Sequence, residues 1–400
     1  MSKRPLIRTL TLGLADPHPL DGKVIVHAQK LLQQALAHYN DAGYQVQTVR
    51  LSTRPLFEDL VDWSPSAILA YAQELQGMLD DAGIEYCSLG TVFAAQPAFP
   101  LERLELVADL LVATKTLSMT VHLASAEHGL RFEAALPIAH IIQRLAHETA
   151  EGFGNFRFAM LACVAPGSPF FPAAYHAGPS SLSVGLQGAS ILTDCLRVAS
   201  ADIAHSLDHA LITESVRAAL VEQATPIVTL GQEIARTQSL HFGGIDLSPA
   251  PMAEDSIVTA MELCGYGPIG SPGTLAVASA LTAALKSTAL PTCGYNGLML
   301  PVLEDTVLGQ RWEEGRVSTH QLLLYSAVCG TGLDTIPLPG ACPAPTIAHL
   351  LLDVAALALR YQKPLSARLF PVPGRQAGEY TTFTSPYLSN TRVSPYEDEK

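Results

Sequence analysis

The chain has 400 residues, 48% of them hydrophobic and 15% charged, with a formal net charge of −13 at neutral pH. A length above the usual single-domain range with this apolar content points to a large buried core and excludes a disordered chain. Lys and Arg are scattered singly rather than gathered into a stripe, which excludes nucleic acid as an expected partner.

The basic start, residues 1–8, is not followed by an export-type apolar region, because Asp16, Pro17 and His18 interrupt it. A strand over 7–14, an amphipathic helix over 24–39 and a strand over 44–51 read as a β-α-β unit, with Gly43 placed to end the helix in a left-handed conformation. The alternation continues with a helix over 65–80, a strand over 84–89, a helix over 101–114, a strand over 118–123, a helix over 135–149 and a strand over 157–164. Such alternation implies a largely parallel sheet with helical crossovers. Residues 166–179 form a loop of Pro, Gly, Ser and aromatic residues, for which a functional role and a solvent-exposed connection are equally open. Residues 190–240 carry a helical pattern, and residues 242–378 alternate short apolar strands with Gly/Pro-rich turns and helices.

The apolar run 350–359 contains Asp353 and is too short to span a bilayer, so a cytoplasmic chain without a membrane partner is expected. Seven cysteines with no C-x-x-C pair fit reduced thiols better than disulfides or structural zinc. Cys264, Cys293, Cys329 and Cys342 fall in turns, where a small buried hydrophobe is the commoner role than a nucleophile.

Five acidic residues stand beside Gly or Pro or just before an apolar run: Asp246, Asp255, Glu304, Asp305 and Asp334. In that setting a carboxylate caps the following helix by accepting backbone N–H bonds. Alternatively, the turns converge at the C-terminal mouth of barrel strands, where the carboxylates would hold Mg²⁺ or Ca²⁺ or divide acid and base roles. The glycine-rich turns at 265–273, 294–297, 330–332 and 337–340 match neither standard nucleotide fingerprint. Arg368 lies inside the apolar strand pattern 365–372, where an unpaired charge is costly, so an acidic partner is expected for it. Lys363 and Arg375 are further candidate cations, and His176 and His241 lie in loop-like segments without an assignable triad.

Four blocks carry a resemblance: Asp246-Leu-Ser-Pro-Ala-Pro-Met-Ala-Glu-Asp255-Ser256, Gly297-Leu-Met-Leu-Pro-Val-Leu-Glu304-Asp305, Gly332-Leu-Asp334-Thr-Ile-Pro-Leu-Pro-Gly340 and Arg368-Leu-Phe-Pro-Val-Pro-Gly374-Arg-Gln-Ala-Gly378. In order and approximate spacing the chain resembles the DUF711 (UPF0210) family, most closely over residues 243–378. The resemblance implies an α/β fold, a pyruvate formate-lyase-like barrel of two five-stranded parallel halves set antiparallel and surrounded by helices. It implies no named reaction. Ala341-Cys342 stands where the family pattern has Asp-Thr. The C-terminal Asn390-Thr-Arg392-Val393-Ser394-Pro395-Tyr396 is superficially similar to the Arg-Val-Ser-Gly-Tyr motif of the radical enzymes of that fold. Pro395 takes the glycine position there, so no glycyl radical is expected.

The expectation is therefore one large α/β domain over 1–400, with 1–95 as a candidate N-terminal lobe and 379–400 as a tail. Its expected function is an enzyme acting on a small polar metabolite at a carboxylate-rich barrel mouth. Asp255, Glu304, Asp305, Asp334 and Arg368 are the catalytic candidates, and Asp246, Asp255, Glu304 and Asp305 the candidate metal ligands. A non-catalytic metabolite sensor or a scaffold is the alternative, and a homo-oligomer is left open.

Overall fold

The structure is a computed structural model describing residues 4–201 and 205–394. β1 (Leu6–Gly13) leads into α1 (Gly22–Asp41), whose start is capped by Asp21 accepting from the Lys23 and Val24 N–H groups. β2 (Val46–Ser52) returns parallel to β1. Two helices, α2 (Leu56–Asp59) and α3 (Pro65–Asp81), precede β3 (Cys87–Val92). The strand expected from residue 84 starts at Cys87, because Gly83 takes a φ of 66° and the Ile84 N–H still bonds back to the Leu79 carbonyl. Ile84 is thus the apolar residue that closes the helix end, not the first of a strand.

α4 (Glu105–Ala113), β4 (Leu117–Ser125), the two-residue β5 (Gly129–Leu130) folded back on β4, α5 (Ala135–Glu148) and β6 (Phe158–Ala162) follow. β7 (Ser181–Gln187) then pairs antiparallel with β1. The helical stretch beyond it is two helices, α6 (Ala189–Ser200) and α7 (His209–Thr237), the second opened by Asp208 accepting the Leu211 N–H. β8 (His241–Asp246) pairs parallel with β7. Four short helices come next: α8 (Ile257–Glu262), α9 (Thr274–Lys286), α10 (Thr306–Glu313) and α11 (Thr319–Ser326). β9 (Gly332–Pro339), α12 (Ala344–Tyr361) and β10 (Leu365–Val372) complete the described elements.

The strand order is β8-β7-β1-β2-β3-β4-β6-β10-β9, with β5 beside β4. β1, β2, β3, β4 and β6 form a central parallel group, flanked by the pairs β7/β8 and β9/β10 that run the other way. Two complete five-stranded halves are not what forms: the sheet is mixed, mostly parallel and not closed by continuous ladders. Between β8 and β9 the chain runs through helices and turns, and residues 292–301 make only two isolated parallel bridges, Thr292 to Ile245 and Pro301 to Asp334. Gly294 (φ 72°) and Asn296 (φ 49°) interrupt extended backbone there.

α12 is long and apolar enough by composition to cross a membrane, with a mean hydropathy of 1.2 over its 18 residues, so the apolar run is longer than the sequence reading allowed. One face of it, including Ile347, Leu351, Val354 and Ala358, is buried, and it packs against α5, β4, β6 and β10, the pattern of an amphipathic helix covering a sheet. The loop at 166–179 is likewise no exposed connection. Ser168, Phe170, Ala174, Tyr175 and His176 are buried, and the loop accepts from Thr11 Oγ1 at Pro169 and from Ser88 Oγ at Ala174.

Candidate functional site

A cavity of about 260 Å³ is lined by residues that begin or just precede central strands: Arg8 in β1, Tyr86 before β3, Thr116 before β4 and Arg157 before β6. Glu304, Asp334 and Arg368 face it from the flanking group. The expected C-terminal mouth is therefore corrected for the central strands. Because the flanking pairs run the other way, one edge of the sheet brings together the amino ends of the central strands and turns of the second half.

Two β-bulges aim the charged side chains. Ile7 pairs with Leu186 and Thr9 with Gly185, leaving Arg8 as the extra residue of β1. Leu333 pairs with Ala367 and Ile336 with Leu369, so Asp334 and Thr335 together oppose Arg368, and Thr335 takes a φ of 45°. Arg368 bridges two carboxylates, donating from Nη2 to Glu304 Oε1 and from Nε to Asp334 Oδ1, each at 2.5 Å. Its guanidinium also lies 5.3 Å from the Phe156 ring centre. Glu304 accepts in addition from Arg8 Nη2 at 3.3 Å. The acidic partner expected for Arg368 is thus Glu304 together with Asp334.

Arg50 contributes a third buried guanidinium, with no carboxylate against it among the described residues. Its Nε donates to Thr48 Oγ1 at 2.9 Å, and its charged group lies over the rings of Tyr86 (5.3 Å) and Phe171 (5.2 Å). Burial, and secondly the Arg8 charge, push the Arg50 pKa down to about 9, so it stays protonated at neutral pH. Arg8 Nη1 and the Tyr295 hydroxyl are buried in the same lining without a hydrogen bond among the described residues. Arg157 is occupied otherwise, donating to the carbonyls of Leu111 and Leu117.

The five acidic candidates do not converge. Asp246, fully buried, accepts from the Ser248, Tyr295 and Asn296 N–H groups and from Ser248 Oγ, which clamps the turn at 294–297 to β8. Burial nevertheless raises its pKa. A Cβ at Gly294 would stand 2.1 Å from Asp246 Oδ2, so this clamp requires glycine there. Asp305, also fully buried, caps α10 through the Leu308 N–H and accepts the first N–H of α8 from Ile257. Burial raises its pKa to about 6. Asp255 is half-buried and accepts from Gln187 Nε2, while Ser256 caps α8 in its place. Only Glu304 and Asp334 share the cavity, and Arg368 already joins them. Among the described residues no three His, Cys, Asp or Glu side chains gather as metal ligands.

Lys363 donates to the Ser326 and Cys329 carbonyls behind α11, and Arg375 donates to Thr382 at the surface. His176 is buried and His241 exposed. Cys264, Cys329 and Cys342 are buried, and burial raises the Cys264 thiol to about 12 and the Cys293 thiol further. Pro395, on which the radical expectation turns, lies outside the described residues.

Residues 1–389 match the family model described as "Uncharacterised ACR (DUF711)". The chain belongs to the DUF711 family. It is 30% identical to a UPF0210 protein of Pyrobaculum aerophilum over 84% of this chain and 76% of that one. It is 25% identical to one of Pelotomaculum thermopropionicum and 26% identical to one of Oenococcus oeni, each over 94% of this chain and 88% of the relative. None of these names carries a reaction. In this DUF711 chain the cavity residues that sequence reasoning missed are Arg8, Arg50 and the aromatic lining. Arg8 and Arg50 were visible by the rule applied to Arg368: each is a lone cation inside an apolar strand, Ile7-Arg8-Thr9-Leu10 and Val49-Arg50-Leu51.

Proposed function

We propose that the protein is an enzyme acting on a small anionic metabolite, whose acidic group would sit against Arg8 and Arg50. One observation carries this: three buried guanidiniums meet two carboxylates in the cavity, and Arg8 Nη1 keeps a donor with no acceptor. A buried cation without a counter-charge is costly, and an anionic ligand removes that cost. A divalent ion between Glu304 and Asp334 would first have to displace Arg368, so the reading moves from a cation to an anion. The catalytic half of the proposal rests on Asp334. It bonds Arg368 through Oδ1, its side chain keeps 14% exposure in the cavity lining, and its bulge holds Thr335 at positive φ, a strain typical of working sites.

The finer architecture follows the same bridges. Counting residues 292–301 as a strand would give β7, β8, that segment, β9 and β10 as five parallel members running against β1, β2, β3, β4 and β6. That supports reading the fold as a pyruvate formate-lyase-like barrel and the chain as one unit.

The test is mass spectrometry of small molecules released from natively purified protein and from Arg50→Gln. An acid enriched on the first and missing from the second supports the site, and its chemical change on incubation supports an enzyme. An acid returned intact identifies a sensor, and equal recovery from both proteins removes the proposal.

A further inference from the structure

Resting on the anion-site reading above, we infer that the ligand is an arene carboxylate, a planar aromatic ring bearing a carboxyl group. The head group follows from charge: the lining carries Arg8, Arg50, Lys115, Arg157 and Arg368 against Glu85, Glu304 and Asp334, and with Arg157 held by two backbone carbonyls the buried Arg8, Arg50 and Arg368 still outnumber Glu304 and Asp334, an excess that an anionic group offsets. Arg8 Nη1 is the open donor, and Arg50 is the guanidinium with no carboxylate of its own.

The body follows from the rings. Phe153, Phe156 and Tyr387 line the cavity nearly parallel, with interplanar angles of 16° and 20° and centre separations of 4.9 and 6.1 Å. All three are only half-buried and belong to the cavity lining; Phe156 stacks on both of the others and carries the Arg368 guanidinium, so Phe153 and Tyr387 are the rings left with a face to offer. Phe170 and Phe171, from the buried loop at 166–179, face the same space. Covering such surface is favourable, and near-parallel rings accept a further planar ring in offset stacking. The volume lies just below the range of about 300–1,000 Å³ usual for drug-sized ligands, which suits a small ligand such as benzoate.

The experiment is calorimetric titration of the full chain with benzoate, cyclohexanecarboxylate, acetate and inorganic phosphate. Benzoate is expected to bind about tenfold more tightly than cyclohexanecarboxylate, the worth of one aromatic contact beyond area, with acetate and phosphate weaker still. Phe153→Leu, which keeps bulk but removes the ring, is expected to bring the benzoate and cyclohexanecarboxylate affinities together. Arg50→Gln, checked for a cooperative melt, is expected to weaken benzoate about 100-fold. Cyclohexanecarboxylate or phosphate binding as well as benzoate overturns the arene assignment and leaves the anion site standing. So does an unchanged preference in Phe153→Leu. No detectable binding of any of the four, or binding indifferent to Arg50→Gln, overturns both.

Discussion

The two ends of the central sheet have opposite chemistry. While residues 170–173 of the loop at 166–179 reach the cavity, the last part of the same loop, from His176, and its neighbour Ser180 close over the carboxyl ends of β1 and β2. There the His176 N–H bonds the Thr53 carbonyl, the Ala15 N–H bonds Ser180 Oγ, and His18 uses both ring nitrogens, on Tyr71 and Thr53. At the cavity end polar groups are equally buried, yet Arg8 Nη1 and the Tyr295 hydroxyl lack partners and Arg50 lacks a counter-charge. Burial alone therefore does not mark a site. A buried charge with an open donor does, because leaving it unpaired costs far more than leaving a single hydroxyl unbonded, as Ser52 Oγ is at the covered end.

The acidic residues divide along the same line, and removing one from each class sharpens the contrast. Asp246→Ala leaves three backbone N–H groups and a hydroxyl without their acceptor, and is expected to cost about 3–5 kcal/mol in urea unfolding. Asp334→Asn, in the cavity, is expected to lose turnover with a much smaller loss of stability. If the two variants lose stability equally, the distinction between clamp and site fails.

Acid tests the covered end. Burial lowers the His18 pKa to about 4, below the ordinary 6.5 of the unfolded chain. Between those values the unfolded state binds more protons, so stability is full above pH 6.5 and falls toward pH 4, by up to about 3 kcal/mol for this residue. His122, also lowered to about 4 by burial, adds to the loss. Asp305 opposes it: its pKa is raised to about 6, so the destabilisation from its buried charge fades as pH falls below 6. Urea midpoints at pH 7.5 and 5 are expected to drop less in His18→Gln than in the wild type, and equal drops would remove His18 from this explanation.

Arg50→Gln tests the cavity end, where loss of binding and gain of stability should come together. Anion binding is expected to weaken about 100-fold, equivalent to about 2.7 kcal/mol, while the ligand-free protein melts higher because a buried unpaired charge is gone. A lower melting temperature would show that Arg50 is held by the fold rather than kept for a ligand. The smallest effect belongs to Tyr387→Phe, which removes the 2.9 Å hydroxyl bond to Tyr86 at the cavity wall and is expected to cost about 1 kcal/mol of stability. No change at all would mean that this contact exchanges freely with water.

The alternation of residues 7–164 was legible because β-α-β periodicity is local, and the four turn blocks were legible as a family pattern. The partition of the acids was not. Glu304 and Asp305 are neighbours in sequence, yet one faces two arginines and the other two helix starts, a difference set by which side of a turn each occupies. Arg8 and Asp334 owe their aim to bulges, whose extra residue is defined only by the partner strand. The break between β8 and β9 was legible as the glycine-rich turn at 294–297, but the buried Asp246 that accepts the Asn296 N–H and holds that turn in place was not, because it lies about fifty residues away in sequence.

The most direct test is anomalous diffraction from crystals soaked separately in bromide and in manganese. An anion site gives a bromide peak beside Arg8 and Arg50 and no manganese between Glu304 and Asp334. A manganese peak between those carboxylates, with no bromide in the cavity, would contradict it.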